Sequence, residues 1–157
     1  MKRIGVPAIL ILAFFGLMDS VYLAEHAATG TPLLCPVENL SGCNIVAASD
    51  YARLFGIPLA ELGVVFYGVL FILAAVELAL SDRMVRRLLQ AGALVGVIAS
   101  LCFTLIQMFL IRAFCIYCLV SAIIALLIFI FACFIEPISL RRTRIPSPPP
   151  FSMPPAA

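Results

Sequence analysis

The residues best suited to chemistry in this chain are its cysteines, four of which occur as two close pairs. Cys35 and Cys43 are separated by seven residues, and Cys115 and Cys118 form a Cys-Ile-Tyr-Cys motif. Two cysteines at positions i and i+3 of a helix share one face and lie close enough to form a disulfide. Because disulfides exchange by thiolate attack, two neighbouring pairs predict a thiol relay. Two static disulfides that brace a loop are the alternative.

The second pair begins a strongly apolar segment, which predicts a helix whose first turn contains the motif. Unpaired N–H groups and the positive end of the helix dipole stabilise a thiolate in that turn. We expect one sulfur to face water and the other to lie one turn deeper, at the depth of a lipid-soluble ligand. Cys102 and Cys133 are too far along their helices to reach this group, and we interpret both as packing residues.

The composition predicts that lipid surrounds most of the protein. The 157 residues are 64% hydrophobic and 11% charged, whereas a soluble domain usually has about 25% charged residues. Apolar segments long enough to cross roughly 30 Å of hydrocarbon occur at about 4–28, 57–80, 88–111 and 114–135. These features predict an all-α integral membrane protein, a bundle of four transmembrane helices with an outer loop at 29–56. The net charge of +2 is too small to indicate a nucleic-acid partner.

The basic residues predict how the helices are oriented. Eight of the ten lie at the termini and in the connection between the second and third helices. Because cytoplasmic segments are enriched in Lys and Arg, both termini are expected in the cytoplasm. Both cysteine pairs are then expected on the extracytoplasmic side of the cell inner membrane, where disulfides persist. The eight are Lys2, Arg3, Arg83, Arg86, Arg87, Arg141, Arg142 and Arg144, and the other two are Arg53 and Arg112.

The chain is expected to consist of one domain and one tail. Residues 1–140 would form the membrane redox domain. Residues 141–157 would form a disordered cytoplasmic tail, because its prolines lack backbone donors and cannot continue a helix. Lys2 and Arg3 before an apolar run also fit a cleavable signal peptide. No good small-x-small cleavage site follows, so we expect the first helix to be retained.

Polar residues inside the expected spans are candidates for a site within the membrane. Ser100, Thr104 and Gln107 share one face of the third helix, where they either line a ligand site or form interhelical hydrogen bonds. Asp19 is an acid within the first helix, a costly position unless the carboxylate is paired or functional. Proton handling is the functional hypothesis for Asp19, and pairing is the alternative.

Several motifs surround the cysteines in a defined order. They are Cys35-x7-Cys43, the run from Asn44 to Ala52, Gly56-Ile57-Pro58, Cys115-Ile116-Tyr117-Cys118, and Ser20-x-Tyr22-Leu23 with His26 in the first helix. Together they resemble the vitamin K epoxide reductase family, in its bacterial, disulfide-forming branch, from about residue 4 to 135. The resemblance implies a four-helix bundle around a quinone, capped by a short horizontal helix after the loop cysteines. Residues 44–55 suit that cap.

The resemblance also implies roles for individual residues. Cys118 would lie next to the quinone, either ubiquinone or menaquinone, and Cys115 would exchange with a loop cysteine. The sequence does not decide whether that cysteine is Cys35 or Cys43, although we favour Cys43. The residues expected around the quinone are Cys118, Ser49, Phe114, Ala122 and Leu59.

Two of these positions depart from the animal enzymes of the family. A tyrosine that contacts the substrate in those enzymes corresponds to Ala122 here, and Leu59 lies near the place of their asparagine donor. Both differences remove a polar group that would meet the substrate. They favour a plain quinone over an epoxide as the acceptor.

The function predicted from these observations is that of a quinone-dependent thiol oxidase. A thioredoxin-fold partner similar to DsbA would reduce the loop disulfide, and the Cys-x-x-Cys pair would pass the electrons to the quinone. Some bacterial members carry a fused thioredoxin-like domain, and none is expected here, so the partner would be a separate protein. The alternatives are a vitamin K epoxide or quinone reductase, a helical assembly subunit with structural disulfides, and a metal module. That module would bind zinc through Cys35, Cys43, Cys115 and Cys118, which an oxidising compartment disfavours.

Overall fold

The computed structural model describes residues 2–33 and 42–135. Over these residues, four helices are long and apolar enough to cross a membrane. The predicted bundle of membrane helices is confirmed, and a short hairpin is added to it. The elements in chain order are α1 (Lys2–Thr29), α2 (Cys43–Ala48), a 3-10 helix (Asp50–Ala52), β1 (Arg53–Leu54), β2 (Ile57–Pro58), α3 (Leu59–Leu80), α4 (Arg83–Ile106), a π-helical turn (Gln107–Ile111) and α5 (Ile116–Ile135).

The long helices pack as an antiparallel ring. Both α1 and α4 pack against α3 and α5. The core between them includes fully buried side chains from each long helix, namely Ile9, Leu70, Leu89 and Ile128. Many other apolar side chains on these helices are exposed. An apolar surface of this kind suits a bundle surrounded by hydrocarbon, in which each helix pairs its own backbone groups.

Tyr67 holds α3 against two of its neighbours. Its ring lies over Gly16 of α1, at a place where any Cβ would overlap the ring, so only glycine permits this approach. Its hydroxyl donates to the carbonyl oxygen of Ser121 in α5 at 2.8 Å. Tyr67 is almost fully buried, and it therefore joins α3 to both α1 and α5.

The connection between α3 and α4 explains the largest difference from the predicted helix boundaries. Ser81 follows α3 with a left-handed φ of 50°, and Asp82 caps α4 by accepting from the N–H of Met84 at 2.9 Å. α4 therefore begins at Arg83, whereas the sequence predicted a start near 88, because the basic residues 83–87 interrupt the apolar run. The boundaries predicted for α1, α3 and α5 differ from the structure by two residues at most.

The predicted cap over residues 44–55 is only partly helical. α2 ends at Ala48 because the backbone of Ser49 is extended, with φ −73° and ψ 152°. The N–H and Oγ of Ser49 both donate to the carbonyl oxygen of Val46, at 3.2 and 2.7 Å. A serine side chain that satisfies the last turn in this way competes with continuation of the helix. Apolar spacing alone missed this break.

A two-stranded hairpin takes the place of the second half of the predicted cap. Leu54 in β1 lies opposite Ile57 in β2, and Phe55 and Gly56 form the turn with positive φ values of 54° and 86°. Positive φ values at both central positions are typical of the tight turn that suits antiparallel strands. Phe55, the last residue of the predicted helical cap, instead lies in this turn and is 96% exposed. The hairpin leads directly into α3.

Candidate active site

Cysteines from separate parts of the chain meet at one end of the bundle, which we call the cysteine end and define by Cys43, Cys115 and Cys118. Cys43 begins α2, Cys115 directly precedes α5, and Cys118 lies in the first turn of α5. Cys43 and Cys115 are 0% and 2% exposed, and Cys118 is half-buried. The thiol of Cys115 hydrogen-bonds with both Cys118 and Cys43. Cys115 is therefore placed between the other two, in contact with each.

The residues around α2 hold Cys43 in this position. The Asn44 side chain accepts from the backbone N–H of Leu33 at 2.8 Å and donates to the Leu33 carbonyl at 3.4 Å. These bonds fix α2 to the chain that follows α1. Gly42 packs against the backbone of Phe114, and a Cβ at Gly42 would come within 2.9 Å of it. The absence of a side chain at Gly42 thus lets α2 approach the segment before α5. The sequence predicted no role for Asn44 beyond its place in a motif.

Gln107 connects the end of α4 to the Cys-x-x-Cys motif. Its side chain is 4% exposed, and its Oε1 accepts from the backbone N–H of Cys115 at 3.2 Å. The same side chain hydrogen-bonds with Cys118. Gln107 begins the π-helical turn, which Arg112 ends with a left-handed φ of 54°. The interhelical hydrogen bond considered for Gln107 is therefore present, and it is made to the reactive motif itself.

The surroundings of Cys115 differ from those expected for a helix-terminal thiolate. The hydrogen bond to Cys118 and the burial of the thiol raise the pKa of Cys115 above its ordinary value. The carbonyl of Cys115 accepts from the N–H of Leu119 at 3.1 Å, so Cys115 precedes the first turn of α5. The expectation that one sulfur of the pair faces water is wrong for Cys115, because it is buried in one cluster with Cys43 and Val46 of α2.

A cavity of about 440 Å³ lies beside these cysteines. Its size is within the range of pockets that bind small molecules. Cys43, Cys115 and Cys118 line it, and Phe66 and Phe103 contribute aromatic side chains. Much of the remaining wall is apolar, which suits a quinone ring, and hydroxyl, amide and carboxyl groups are present for its oxygen atoms. The polar lining residues include Asp19, Ser20, Ser100, Thr104, Gln107 and Ser121.

The lining of this cavity includes some of the residues expected around a quinone and leaves out others. Ser49 and Leu59 line it together with Cys118. Phe114 and Ala122 are not among the described residues that line it. α5 presents positions 118 and 121 to the cavity, and position 122 falls further round the helix. Phe114 lies in the connection before α5, where its backbone packs against Gly42. The quinone contacts expected of Phe114 and Ala122 therefore stay predictions from the resemblance alone.

The other cysteines lie apart from this group or outside the description. Cys102 is exposed on α4, and Cys133 is half-buried near the far end of α5. The packing role predicted for Cys102 is wrong, because its side chain is exposed, whereas the half-buried Cys133 fits that role. Cys35 lies outside the described residues, as does the predicted tail at 141–157.

Comparisons with known proteins support the same family that the motifs resemble. A stretch of 59 residues, 38% of the chain, is 41% identical to thiol-disulfide oxidoreductase LTO1 of Arabidopsis thaliana. The chain spans 15% of the length of that protein. The family model described as "Vitamin K epoxide reductase family" matches residues 7–133, which include Cys43, Cys115 and Cys118. On this match, which covers most of the bundle, the chain belongs to the vitamin K epoxide reductase family.

Proposed function

We propose that the protein is a quinone-dependent thiol oxidase that restores the disulfide of a separate thioredoxin-fold protein. The arrangement at the cysteine end carries the proposal: Cys43 contacts Cys115, Cys115 contacts Cys118, and Cys118 lines a cavity whose wall fits a quinone. Membership of the family and the thiol-disulfide oxidoreductase name of the Arabidopsis relative support thiol redox chemistry.

In the proposed relay, a disulfide is passed from the membrane site to the partner in balanced steps. The partner dithiol reduces a disulfide between Cys35 and Cys43. The Cys43 thiolate then attacks Cys115 in a Cys115–Cys118 disulfide, forms a Cys43–Cys115 bond and releases Cys118 as a thiolate. Attack by Cys35 on Cys43 restores the loop disulfide and leaves Cys115 as a thiol. Two electrons from the partner are then held by Cys115 and Cys118.

The surroundings of the two sulfurs favour attack on Cys115 over attack on Cys118. A disulfide breaks faster when the sulfur that leaves has the lower pKa. Attack on Cys118 would release Cys115 as a thiolate in a position that is only 2% exposed, where burial disfavours the charge. Attack on Cys115 releases Cys118 beside the amide of Gln107, with which it hydrogen-bonds. Cys43 already contacts Cys115, so the geometry and the leaving group select the same route.

The cavity completes the cycle. A quinone bound there supplies the oxidant, which takes up two electrons and two protons as the Cys115–Cys118 disulfide re-forms. Cys118 lines the cavity and gives up the electrons. Gln107 holds the backbone of Cys115 in place during this step. Ser49 and Leu59 line the cavity from the cap and from α3.

We place this relay on the extracytoplasmic side of the cell inner membrane. The basic residues of the connection between α3 and α4 support that orientation, because they lie at the opposite end of the bundle from the cysteines. Disulfides persist on the extracytoplasmic side, where thioredoxin-fold partners would also be found. Both termini would then be cytoplasmic.

The proposal is tested by anaerobic mixing of the purified protein, a reduced thioredoxin-fold substrate and a short-chain ubiquinone or menaquinone. Quinol should form in proportion to the substrate disulfide produced. Cys118→Ala should reduce quinol formation to background, because Cys115 then has no partner sulfur with which to form the disulfide that the quinone regenerates. Cys102→Ala, a change on the outer face of α4, should behave as the unmodified protein does. Full quinol formation by Cys118→Ala would contradict the proposal, as would the absence of quinol with either quinone in the unmodified protein.

A further inference from the structure

The cavity contains an acid that the relay of sulfurs does not use. Asp19 lies within α1, inside a segment long and apolar enough to cross a membrane, and its side chain lines the cavity. Its Oδ2 is buried and has no hydrogen-bond partner among the residues that the structure describes. A buried carboxyl group is costly in an apolar setting unless it is paired or functional. The described part of the chain supplies no cation in ion-pair contact with it.

The groups around Asp19 include a reactive sulfur. The carboxyl group is close enough to Cys118 of α5 and Tyr67 of α3 to interact electrostatically with both. Cys43 of α2 and Arg53 of β1 line the same cavity. Asp19 therefore lies near Cys118, the sulfur that gives up electrons, and beside the cavity in which the electron acceptor would bind.

The other titratable groups that line the cavity, apart from the cysteines of the relay, are hydrogen-bonded or exposed. The Tyr67 hydroxyl donates to the carbonyl of Ser121, and His26 Nδ1 lies 2.8 Å from the hydroxyl oxygen of Thr31. Tyr51 and Arg53 are exposed. Ser100 and Thr104 of α4 and Gln107 of the π-helical turn add polar groups that do not titrate at ordinary pH. Asp19 is therefore the lining group best placed to take up and release a proton.

We infer that Asp19 is the proton carrier between the thiols and the electron acceptor in the cavity, an inference that rests on the proposed function. When Cys43 attacks Cys115, the proton lost by the Cys43 thiol is held at Oδ2 of Asp19. As the Cys115–Cys118 bond forms, this proton and the proton of the Cys115 thiol pass to the two oxygens of the acceptor. The two electrons come from Cys115 and Cys118, so charge and protons balance.

Three variants test the inference. Asp19→Asn keeps the shape of the side chain and removes the titrating proton, and Asp19→Glu restores the acid. Glu61→Gln is the matched control, because Glu61 is an exposed acid in the first turn of α3 and does not line the cavity. Quinol formation should fall about 100-fold in Asp19→Asn, which is within the usual contribution of a general acid. It should recover largely in Asp19→Glu and stay unchanged in Glu61→Gln.

A second measurement does not depend on the quinone. Infrared difference spectra recorded while dithiothreitol reduces the disulfides should show the carbonyl band of a newly protonated carboxylic acid. The band should persist in Glu61→Gln, shift in Asp19→Glu and be lost in Asp19→Asn. Each of the four proteins should still transfer a disulfide to the partner in the absence of quinone, which shows that the relay of sulfurs is present.

The outcomes separate this inference from the proposed function. If the unmodified protein transfers no disulfide or forms no quinol, the proposed function fails. If the unmodified protein turns over and Asp19→Asn forms quinol at the same rate, the proposed function stands and Asp19 is not the proton carrier. Should Asp19→Asn fail to fold, the infrared spectrum of the unmodified protein decides, because a spectrum without a carboxylic acid band overturns the inference.

Discussion

The buried polar groups at the two ends of the bundle differ in whether they bond to one another. At the end opposite the cysteines, which we call the arginine end and define by Glu77, Arg86 and Gln90, the buried groups bind to one another. Glu77 is 2% exposed and accepts from Arg86 Nε at 2.9 Å. Gln90 in α4 donates to the carbonyl of Ala132 in α5 at 2.9 Å. At the cysteine end, Asp19 lines a cavity and makes no ion pair within the described part of the chain.

This difference teaches which polar groups hold the helices together and which are placed for chemistry. Both Glu77 and Asp19 have one oxygen that is buried without a hydrogen-bond partner among the described residues. Only Glu77 has a guanidinium beside it, and the pair joins α3 to α4. A charge that is neutralised by a fixed partner stabilises one arrangement. A carboxyl group that faces a cavity remains able to exchange a proton with a ligand bound there. Changes at the arginine end should therefore affect stability, and changes at the cysteine end should affect exchange.

The largest effect on stability is expected from Glu77→Ala. Removal of one partner leaves the half-buried guanidinium of Arg86 without its carboxylate, and breaking a buried pair in this way costs about 3–5 kcal/mol. The free energy of unfolding, measured by titration with SDS in mixed micelles, should fall by that amount. The disulfide exchange activity of the fraction that remains folded should be unchanged.

The double variant Glu77→Met with Arg86→Met is the control for this prediction. It removes both charges and fills the space with apolar atoms, which is often neutral for stability. Its unfolding free energy should therefore lie much closer to that of the unmodified protein than does that of Glu77→Ala. A double variant as unstable as Glu77→Ala would show that the ion pair itself, rather than an uncompensated charge, stabilises the arginine end.

A smaller effect, and one confined to exchange, is expected from Gly42→Ala at the cysteine end. The added Cβ would come within 2.9 Å of the Phe114 backbone, so α2 must move away from the segment that contains Cys115. Overpacking of this kind typically costs about 2 kcal/mol, which corresponds to a roughly 30-fold slower exchange between Cys43 and Cys115. Rapid acid quenching followed by mass spectrometry would measure the rate at which the Cys43–Cys115 bond forms.

The matched control for Gly42→Ala is Gly68→Ala in α3. No atom lies within 4 Å of a Cβ built at Gly68, so the same chemical change meets open space there. Exchange should proceed at the unmodified rate in this control. If Gly42→Ala also exchanges at the unmodified rate, close approach of α2 is not what brings Cys43 to Cys115.

The sequence predicted the long helices and the cysteine motif but not the contacts that join them. Continuous apolar runs identified α1, α3 and α5 to within two residues, because hydrocarbon demands such runs. The end of α2 at Ala48 was not predicted, because apolar residues continue at helical spacing beyond it. The hydrogen bonds from Ser49 to the Val46 carbonyl end the helix there. The bond from Cys115 to Gln107 links different helices, and periodicity within one helix carries no information about such a contact.

In the candidate site too, features within one helix were predicted from the sequence and contacts between helices were not. The spacing of Cys115 and Cys118 predicted that they would lie close together, and the preference for Cys43 over Cys35 stays a prediction, because Cys43 contacts Cys115 but Cys35 lies outside the described residues. Burial of Cys115 was not predicted, because it depends on how α2 folds over the motif. The resemblance to the family suggested Ala122 as a quinone contact. The side of α5 that faces the cavity depends, however, on how α5 packs against the other helices. Motif spacing thus predicts chemistry within one element, whereas orientation between elements depends on the whole bundle.

The smallest effect is expected from Gln90→Leu at the arginine end. Gln90 donates to the Ala132 carbonyl, which lies in the last turn of α5. Interhelical hydrogen bonds of this kind in membrane proteins contribute about 0.6 kcal/mol, so the unfolding free energy should decrease by about that amount. Leucine also suits the half-buried position, and rates of disulfide exchange and quinol formation should be unchanged. A marked loss of exchange in Gln90→Leu with little loss of stability would mean that the arginine end is coupled to the cysteines, and the contrast between the two ends would no longer hold.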